Sequence, residues 1–295
     1  MLLGSMVAVV TPMDPNGAIN YSDLGKLVDF HFRSGTHALI VAGTTGESAT
    51  LDHEEHIALL EHACELAAGR IPIIAGTGSN STRQTLELSK AVDQLPIVAF
   101  LVVTPYYNKP TQEGMRRHFS TVADAVRHPL ILYNVPGRTG VDLKPETVVK
   151  LASHSNIHGI KEATGELARV HVLREECGPG FSLLSGDDET ACEFMLQGGN
   201  GVISVTANVA PVGMRRLCDA AIAGKRADAE GIDSGLRGLH QTLFVESNPI
   251  PVKWALEKMG MIGPGIRLPL TPLAARYHDT VLAAMAAAGI KLPAN

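Results

Sequence analysis

The sequence predicts a (β/α)8 (TIM) barrel with a C-terminal helical extension. Three observations lead there. Eight short, β-branched runs recur through residues 1–224, and they are near-continuously apolar, as strands buried on both faces should be. Stretches with 3.6-residue apolar spacing lie between them, which implies helices crossing over a parallel sheet. Eight is the number of such units that closes a barrel. An open doubly wound sheet usually carries a glycine-rich dinucleotide turn after an early strand, and none is present.

In order, the runs begin near Val7 (VAVV), Ala38 (ALIV), Ile71 (IPIIA), Ile97 (IVAFLVV), Pro129 (PLILY), Ile157 (IHGIK), Phe181 (FSLLS) and Gly201 (GVISV). Residues 22–33 read as a helix with Leu24, Leu27, Val28 and Phe32 on one stripe. Residues 53–67 read as another, with Ile57, Leu60, Cys64 and Ala67 aligned. Ser22 and Asp52 suit helix N-caps, and Glu55 completes a capping box with Asp52. Pro145 and Pro211 fall where helices start, and Gly35, Gly69 and Gly224 where they stop. After Gly224 the strand signal ends. Residues 225–295 read as about three helices, including 251–259 and 273–288, packed on the barrel because no linker-like segment intervenes. The expected division is therefore a barrel over 1–224, carrying the active site, and an extension over 225–295.

Composition narrows the function. Basic residues number 25 and acidic ones 30, a net charge of −5, with 45% apolar residues and 4% aromatic. That is too apolar for disorder. It also lacks the basic footprint and stacking surfaces of a nucleic-acid binder. The longest apolar run, Leu95–Val103, contains Pro96 and is under half the roughly 20 residues of a membrane span. The start has no basic region before its apolar stretch, so a cytoplasmic location is expected. Cys64, Cys177, Cys192 and Cys218 are far apart and read as buried reduced thiols.

In such a barrel the chemistry gathers at the carboxyl ends of the strands. There the sequence sets Thr11, Gly43-Thr44-Thr45-Gly46-Glu47, Gly76-Thr77-Gly78-Ser79-Asn80, Thr104-Pro105-Tyr106-Tyr107-Asn108, Tyr133-Asn134, Lys161-Glu162, Ser185-Gly186-Asp187-Asp188 and Ser204. Only one of these ends presents a lysine. By position alone Lys161 is either a lysine snorkelling to solvent or a nucleophile. An amine partly desolvated at the inward end of the sixth strand is less firmly held in its charged form, and a neutral amine can attack a ketone to give a Schiff base. Tyr133 ends the neighbouring strand, about 4.8 Å away, and is either an acid/base partner or a core tyrosine. The Thr44–Thr45 loop is an ordinary turn or a carboxylate cradle of N–H groups and hydroxyls. Arg138, between Gly137 and Gly140, is a solvated loop arginine or a bidentate carboxylate receptor.

Two motifs fall short. GTGSNS from Gly76 has Ser81 where a dinucleotide fingerprint needs its third glycine. His53-Glu54-Glu55-His56 places its second histidine one position too early for a zinc helix. No other His/Cys/Asp cluster has ligand spacing, so no catalytic metal is expected. His31, His118 and His278 read as helix-surface or helix-packing residues.

Taken together, GTTGES from Gly43, AGTGSN from Ala75, TPYYNKP from Thr104, YNVPGRTG from Tyr133, GIKEA from Gly159, SGDD from Ser185, GVISV from Gly201 and RLPLTPL from Arg267 cover almost the whole chain. In this order they resemble the dihydrodipicolinate synthase (4-hydroxy-tetrahydrodipicolinate synthase) family of pyruvate-dependent class I aldolases. The resemblance implies that Lys161 condenses with pyruvate, and that the resulting enamine attacks aspartate-4-semialdehyde. The product is the heterocyclic precursor of diaminopimelate and lysine. No cofactor is implied, because the imine is the electron sink. Thr44, Tyr107 and Tyr133 match a proton relay in which Tyr107 reaches a neighbouring subunit's site. Thr45 matches a ligand of the pyruvate carboxylate and Arg138 a receptor for the second substrate. The backbone carbonyls of Gly186 and Ile203 would line the pocket. The family's usual assembly is a homotetramer of tight dimers. In some members L-lysine inhibits through a site matched here by Ser48, Ala49, His53, His56, Asn80 and Tyr106. Gln84 departs from that pattern, standing where inhibitable members often have glutamate, so weaker lysine binding is expected.

Two other functions remain open on the sequence. One is a family aldolase acting on N-acetylneuraminate or a 2-keto-3-deoxy sugar acid. Two features argue against it: Thr44-Thr45 stands where neuraminate lyases usually have Ser-Thr or Ser-Ser, and Arg138 suits an acidic partner rather than a polyhydroxylated chain. The other is a non-catalytic keto-acid-binding barrel, disfavoured because every reactive position is intact.

Overall fold

The computed structural model describes residues 1–293. Eight parallel strands close into a barrel in chain order. They are β1 (Gly4–Ala8), β2 (Ala38–Val41), β3 (Ile73–Gly76), β4 (Ala99–Val103), β5 (Leu130–Asn134), β6 (Ile157–Glu162), β7 (Ser182–Ser185) and β8 (Gly201–Ser204). β1 pairs with β2 on one side and β8 on the other, so the sheet has no edge.

The strands read as solidly apolar because both faces are buried. In β5, Leu130 and Leu132 join the outer core beneath the helices, whereas Ile131 and Tyr133 join the inner core. The inner core also contains Met6, Ile40, Ile74, Leu101, Leu184 and Ile203, so the barrel is filled rather than hollow. The same alternation turns Lys161 inward on β6, two positions beyond Gly159.

The outer ring is formed by α1 (Tyr21–Arg33), α2 (His53–Ala67), α3 (Thr82–Val92), α4 (Gln112–Ala125), a single turn α5 (Pro136–Thr139), α6 (Pro145–Ala152), α7 (Ala168–Cys177), α8 (Ala191–Leu196) and α9 (Pro211–Ile222). α1 is capped by Asn20 rather than Ser22. The Asn20 backbone is extended, and its side-chain oxygen accepts the Asp23 N–H at 3.0 Å, leaving Ser22 inside the helix. The capping box of α2 is present. Glu55 N–H donates to Asp52 at 2.8 Å and Asp52 N–H to Glu55 at 3.2 Å, worth about 1 kcal/mol. Leu24, Leu27 and Val28 are buried as the stripe requires, but Phe32 is exposed, with the Arg70 guanidinium over its ring.

Past the ring come α10 (Arg226–Thr242), α11 (Ile250–Lys258) and α12 (His278–Ala287), with α10 against α9 and α12. α12 begins later than the apolar pattern suggests, because 275–277 form a 3-10 turn, a frequent prelude to a helix. Cys64, Cys192 and Cys218 are buried and free, but Cys177 is only half-buried. Burial pushes the thiols of Cys64, Cys177 and Cys192 up to about 11, which keeps them unreactive. Both helix-packing histidines His31 and His118 are buried, and His278 stacks on Trp254 at 4.4 Å. Among the described residues, no helix is long and apolar enough to cross a membrane.

Candidate active site

Tyr133 and Lys161 are paired in register across β5 and β6. Both side chains point into the barrel mouth, where Tyr133 is 6% exposed and Lys161 5%. Lys161 Nζ lies 4.2 Å from the centre of the Tyr133 ring. An ammonium at that height is drawn to the ring face. Gly186 completes the arrangement. A Cβ there would come within 2.9 Å of Lys161 Cε and 2.7 Å of Ala163 Cβ, so only glycine leaves the lysine its space. Ile203 lies in the same inner core as Tyr133.

Behind the pair, on the outward face of the same strands, Glu162 and Asn134 form a polar brace. Asn134 Nδ2 donates to Glu162 at 3.2 Å and to Asp142 at 2.8 Å, and Arg169 grips Asp142 with two bonds. Burial pushes the Glu162 carboxyl above its ordinary range, while Arg169 and Asn134 hold Asp142 below its own against the opposing effect of burial. The brace fixes the strand ends that carry Tyr133 and Lys161.

The loop after β2 turns tightly. Gly46 N–H donates to the Gly43 carbonyl at 3.0 Å and Glu47 N–H to the Thr44 carbonyl at 3.1 Å. Thr45 is buried, and its hydroxyl accepts from Asn248 Nδ2 at 2.9 Å. The Asn248 backbone carbonyl in turn accepts from the Arg138 guanidinium at 3.2 Å. Arg138 sits on α5, a helical turn where the sequence suggested a plain loop. Asn248 thus ties the Thr44–Thr45 loop to the arginine. The strand-based reading missed it, because it lies beyond the barrel, marked only by an Asn-Pro turn before α11.

A cavity of about 540 Å³ opens beside this loop. Thr44 and Arg138 line it together with Ser48, Ala49, His53, His56, Gln84 and Tyr106. Asn80 is not among its lining residues, and its carbonyl accepts from Asn108 at 2.9 Å. His56 is buried rather than on the helix surface; its Nε2 lies 2.7 Å from the Gly76 carbonyl oxygen, and burial lowers its basicity. Tyr107 is not brought to the site within one chain. It is 88% exposed, held at φ +74°, with its N–H on the Thr139 carbonyl. A tyrosine in the left-handed region is uncommon and strained, a feature that collects at functional positions. Among the described residues, no group of three His, Cys, Asp or Glu side chains is placed to hold a metal.

The sequence model of the Dihydrodipicolinate synthetase family matches residues 1–288. The chain belongs to this family. The chain is 57% identical to the 4-hydroxy-tetrahydrodipicolinate synthase of Thioalkalivibrio sulfidiphilus over the whole of both chains. It is 58% identical to that of Methylococcus capsulatus, over 98% of this chain and 100% of the relative. Its fold superposes on the chloride-inhibited dihydrodipicolinate synthase of Acinetobacter baumannii, solved in complex with pyruvate, with a TM-score of 0.97 at 52% identity, covering 99% of this chain and 100% of that one. The dihydrodipicolinate synthase of Cyanidioschyzon merolae, solved with lysine bound, superposes with a TM-score of 0.94 at 39% identity, over 97% of this chain and 98% of that one. The family expected from the motifs is the family found, and its fold is the barrel seen here.

Proposed function

We propose that this enzyme condenses pyruvate with aspartate-4-semialdehyde to give 4-hydroxy-tetrahydrodipicolinate, in the diaminopimelate route to lysine. The observation that carries this reading is the buried Lys161 amine 4.2 Å from the Tyr133 ring, at the carboxyl mouth of the barrel. The neutral amine attacks the pyruvate keto carbon, and the carbinolamine loses water to give an imine. Tyr133, relayed by Thr44 and by the partner protomer's Tyr107, supplies the proton that turns hydroxide into a leaving group. Loss of a methyl proton gives the enamine, whose carbon attacks the semialdehyde. The semialdehyde's amine then displaces Lys161 from the imine carbon, closing the ring and freeing the enzyme.

Thr45 and the loop N–H groups take the pyruvate carboxylate, with the Gly186 and Ile203 carbonyls lining the pocket. Arg138 takes the carboxylate of the semialdehyde. The protein-bound imine supplies the electron sink, so no cofactor enters the scheme. The exposed, strained Tyr107 fits a chain that completes its neighbour's site, and we read the assembly as a homotetramer of tight dimers. L-lysine is the proposed inhibitor, bound in the cavity by Ser48, Ala49, His53, His56, Gln84 and Tyr106, with Asn80 at its margin. The same reading takes residues 1–224 as catalytic barrel, 225–295 as supporting extension, and the enzyme as cytoplasmic.

The test is borohydride reduction in the presence of pyruvate, followed by intact mass and peptide mapping. A stable adduct on Lys161, absent in Lys161→Ala, is expected. An active preparation that gains no adduct at Lys161 would refute the scheme.

A further inference from the structure

Glu47 has no role in the chemistry above, yet it is placed at unusual cost. Its backbone is left-handed, at φ +58°, which a non-glycine residue seldom adopts. Its side chain is fully buried and forms an ion pair with Lys253 of α11, itself almost fully buried. The second carboxylate oxygen accepts the Arg267 N–H at 3.2 Å. The Arg267 guanidinium then spans the Gly17 carbonyl at 2.8 Å, the Thr50 carbonyl at 2.7 Å and the Glu55 carboxylate at 2.8 Å. Taking two charges out of water usually costs as much as their attraction returns, so stability is a poor explanation for the pair.

Its location is a better one. Two residues before Glu47, Thr45 is tied to Asn248, and Gly46 is fixed by the Thr11 hydroxyl on its carbonyl at 2.6 Å. The Glu47 N–H closes the turn on the Thr44 carbonyl at 3.1 Å. A slack ion pair would let the turn relax from its left-handed residue, carrying Thr44 and Thr45 with it. Resting on the pyruvate-aldolase reading, we propose that Glu47 is a positioning residue: Lys253 and the Arg267 backbone lock it so that the Thr44–Thr45 loop keeps its carboxylate-binding shape. The C-terminal extension then sets affinity for the keto acid without touching it.

The experiment compares steady-state kinetics of the parent, Glu47→Gln, Lys253→Met, Lys253→Arg and the double variant Glu47→Gln/Lys253→Met. The expected result is a rise of about tenfold or more in KM for pyruvate in Glu47→Gln and Lys253→Met, with KM for the semialdehyde within about twofold. Lys253→Arg should recover most of the pyruvate affinity. A merely structural pair would lower the amount of active enzyme and move neither KM. The double variant buries no unpaired charge, and it decides the matter by the same criterion should the single variants not fold. Folded variants with parental KM for pyruvate, or with both KM values raised equally, would overturn the proposal. Borohydride trapping of the parent with pyruvate separates the two levels: a trapped parent with unaffected variants sinks only the role of Glu47, whereas an untrapped active parent sinks the aldolase reading and this inference together.

Discussion

Arg138 donates one guanidinium N–H to the backbone carbonyl of Asn248 at 3.2 Å, and among the described residues no carboxylate lies within salt-bridge distance of it. The arginine is therefore aimed but not neutralised, at the wall of the cavity that Thr44 shares. Arg138→Ala should raise KM for the semialdehyde by roughly 10- to 100-fold, the worth of a charge-assisted hydrogen bond or two, and leave KM for pyruvate within about threefold. Steady-state kinetics with each substrate varied in turn checks this. Equal effects on both would remove the assigned role.

Tyr107 stands out from its own chain at 88% exposure. If its hydroxyl serves a neighbour's relay, Tyr107→Phe should lower kcat by about 10- to 100-fold, as expected for losing a proton-transfer partner, with the assembly unchanged in analytical ultracentrifugation. Mixing Tyr107→Phe with Lys161→Ala protomers should restore activity, because hybrid dimers contain one complete site. Parental turnover in the pure Tyr107→Phe enzyme would end the relay assignment.

Gln84 lines the cavity and accepts a hydrogen bond from the Ser79 hydroxyl at 2.9 Å. A neutral amide there offers a lysine ammonium less than a carboxylate would, weakening a charge-assisted hydrogen bond worth roughly 1.5–3 kcal/mol. Gln84→Glu should tighten inhibition by L-lysine about tenfold or more, read from activity titrations of parent and variant. Neither enzyme responding at millimolar lysine would remove the site.

His31 and His118 should make the fold acid-sensitive. Burial lowers His31 to about 3 and His118 to about 4, with one ring nitrogen of each lacking a partner. The unfolded histidines titrate near 6.5, so below that pH the unfolded chain binds protons that the folded chain refuses. The stabilisation is complete above about pH 6.5 and is lost as pH falls, toward about 3 for His31 and about 4 for His118. At pH 5 the loss is about 2 kcal/mol per histidine. Urea unfolding of parent and His31→Gln at pH 7 and pH 5 measures it. The variant should lose about 2 kcal/mol less between the two pH values, and an equal loss would contradict the assignment.

Much of this was legible in the chain because burial leaves a periodic trace. A strand covered on both faces must be apolar throughout, and each of the eight strands overlaps one of the eight apolar runs. A polar residue at a strand end interrupts that run, which is how Lys161, Tyr133, Thr44 and Thr45 could be named as candidates. Arg138 was named from a glycine-flanked loop, though the turn that carries it is helical. The N-cap at Asn20 was missed because Ser22 and Asn20 are equally good caps by type, and only the backbone conformation chooses between them.

The order of apolar and polar residues along the chain determined the barrel and the strand ends where candidate reacting side chains gather, since these depend on what each residue must hide from water. Tertiary structure alone decided which of them meet. The partnership of Thr45 with Asn248, of Glu47 with Lys253, and the outward turn of Tyr107 join or separate groups distant in sequence. Hydrogen bonds and ion pairs of that kind depend on closure of the ring and docking of the C-terminal helices, and they leave no period in the sequence for a reader to find.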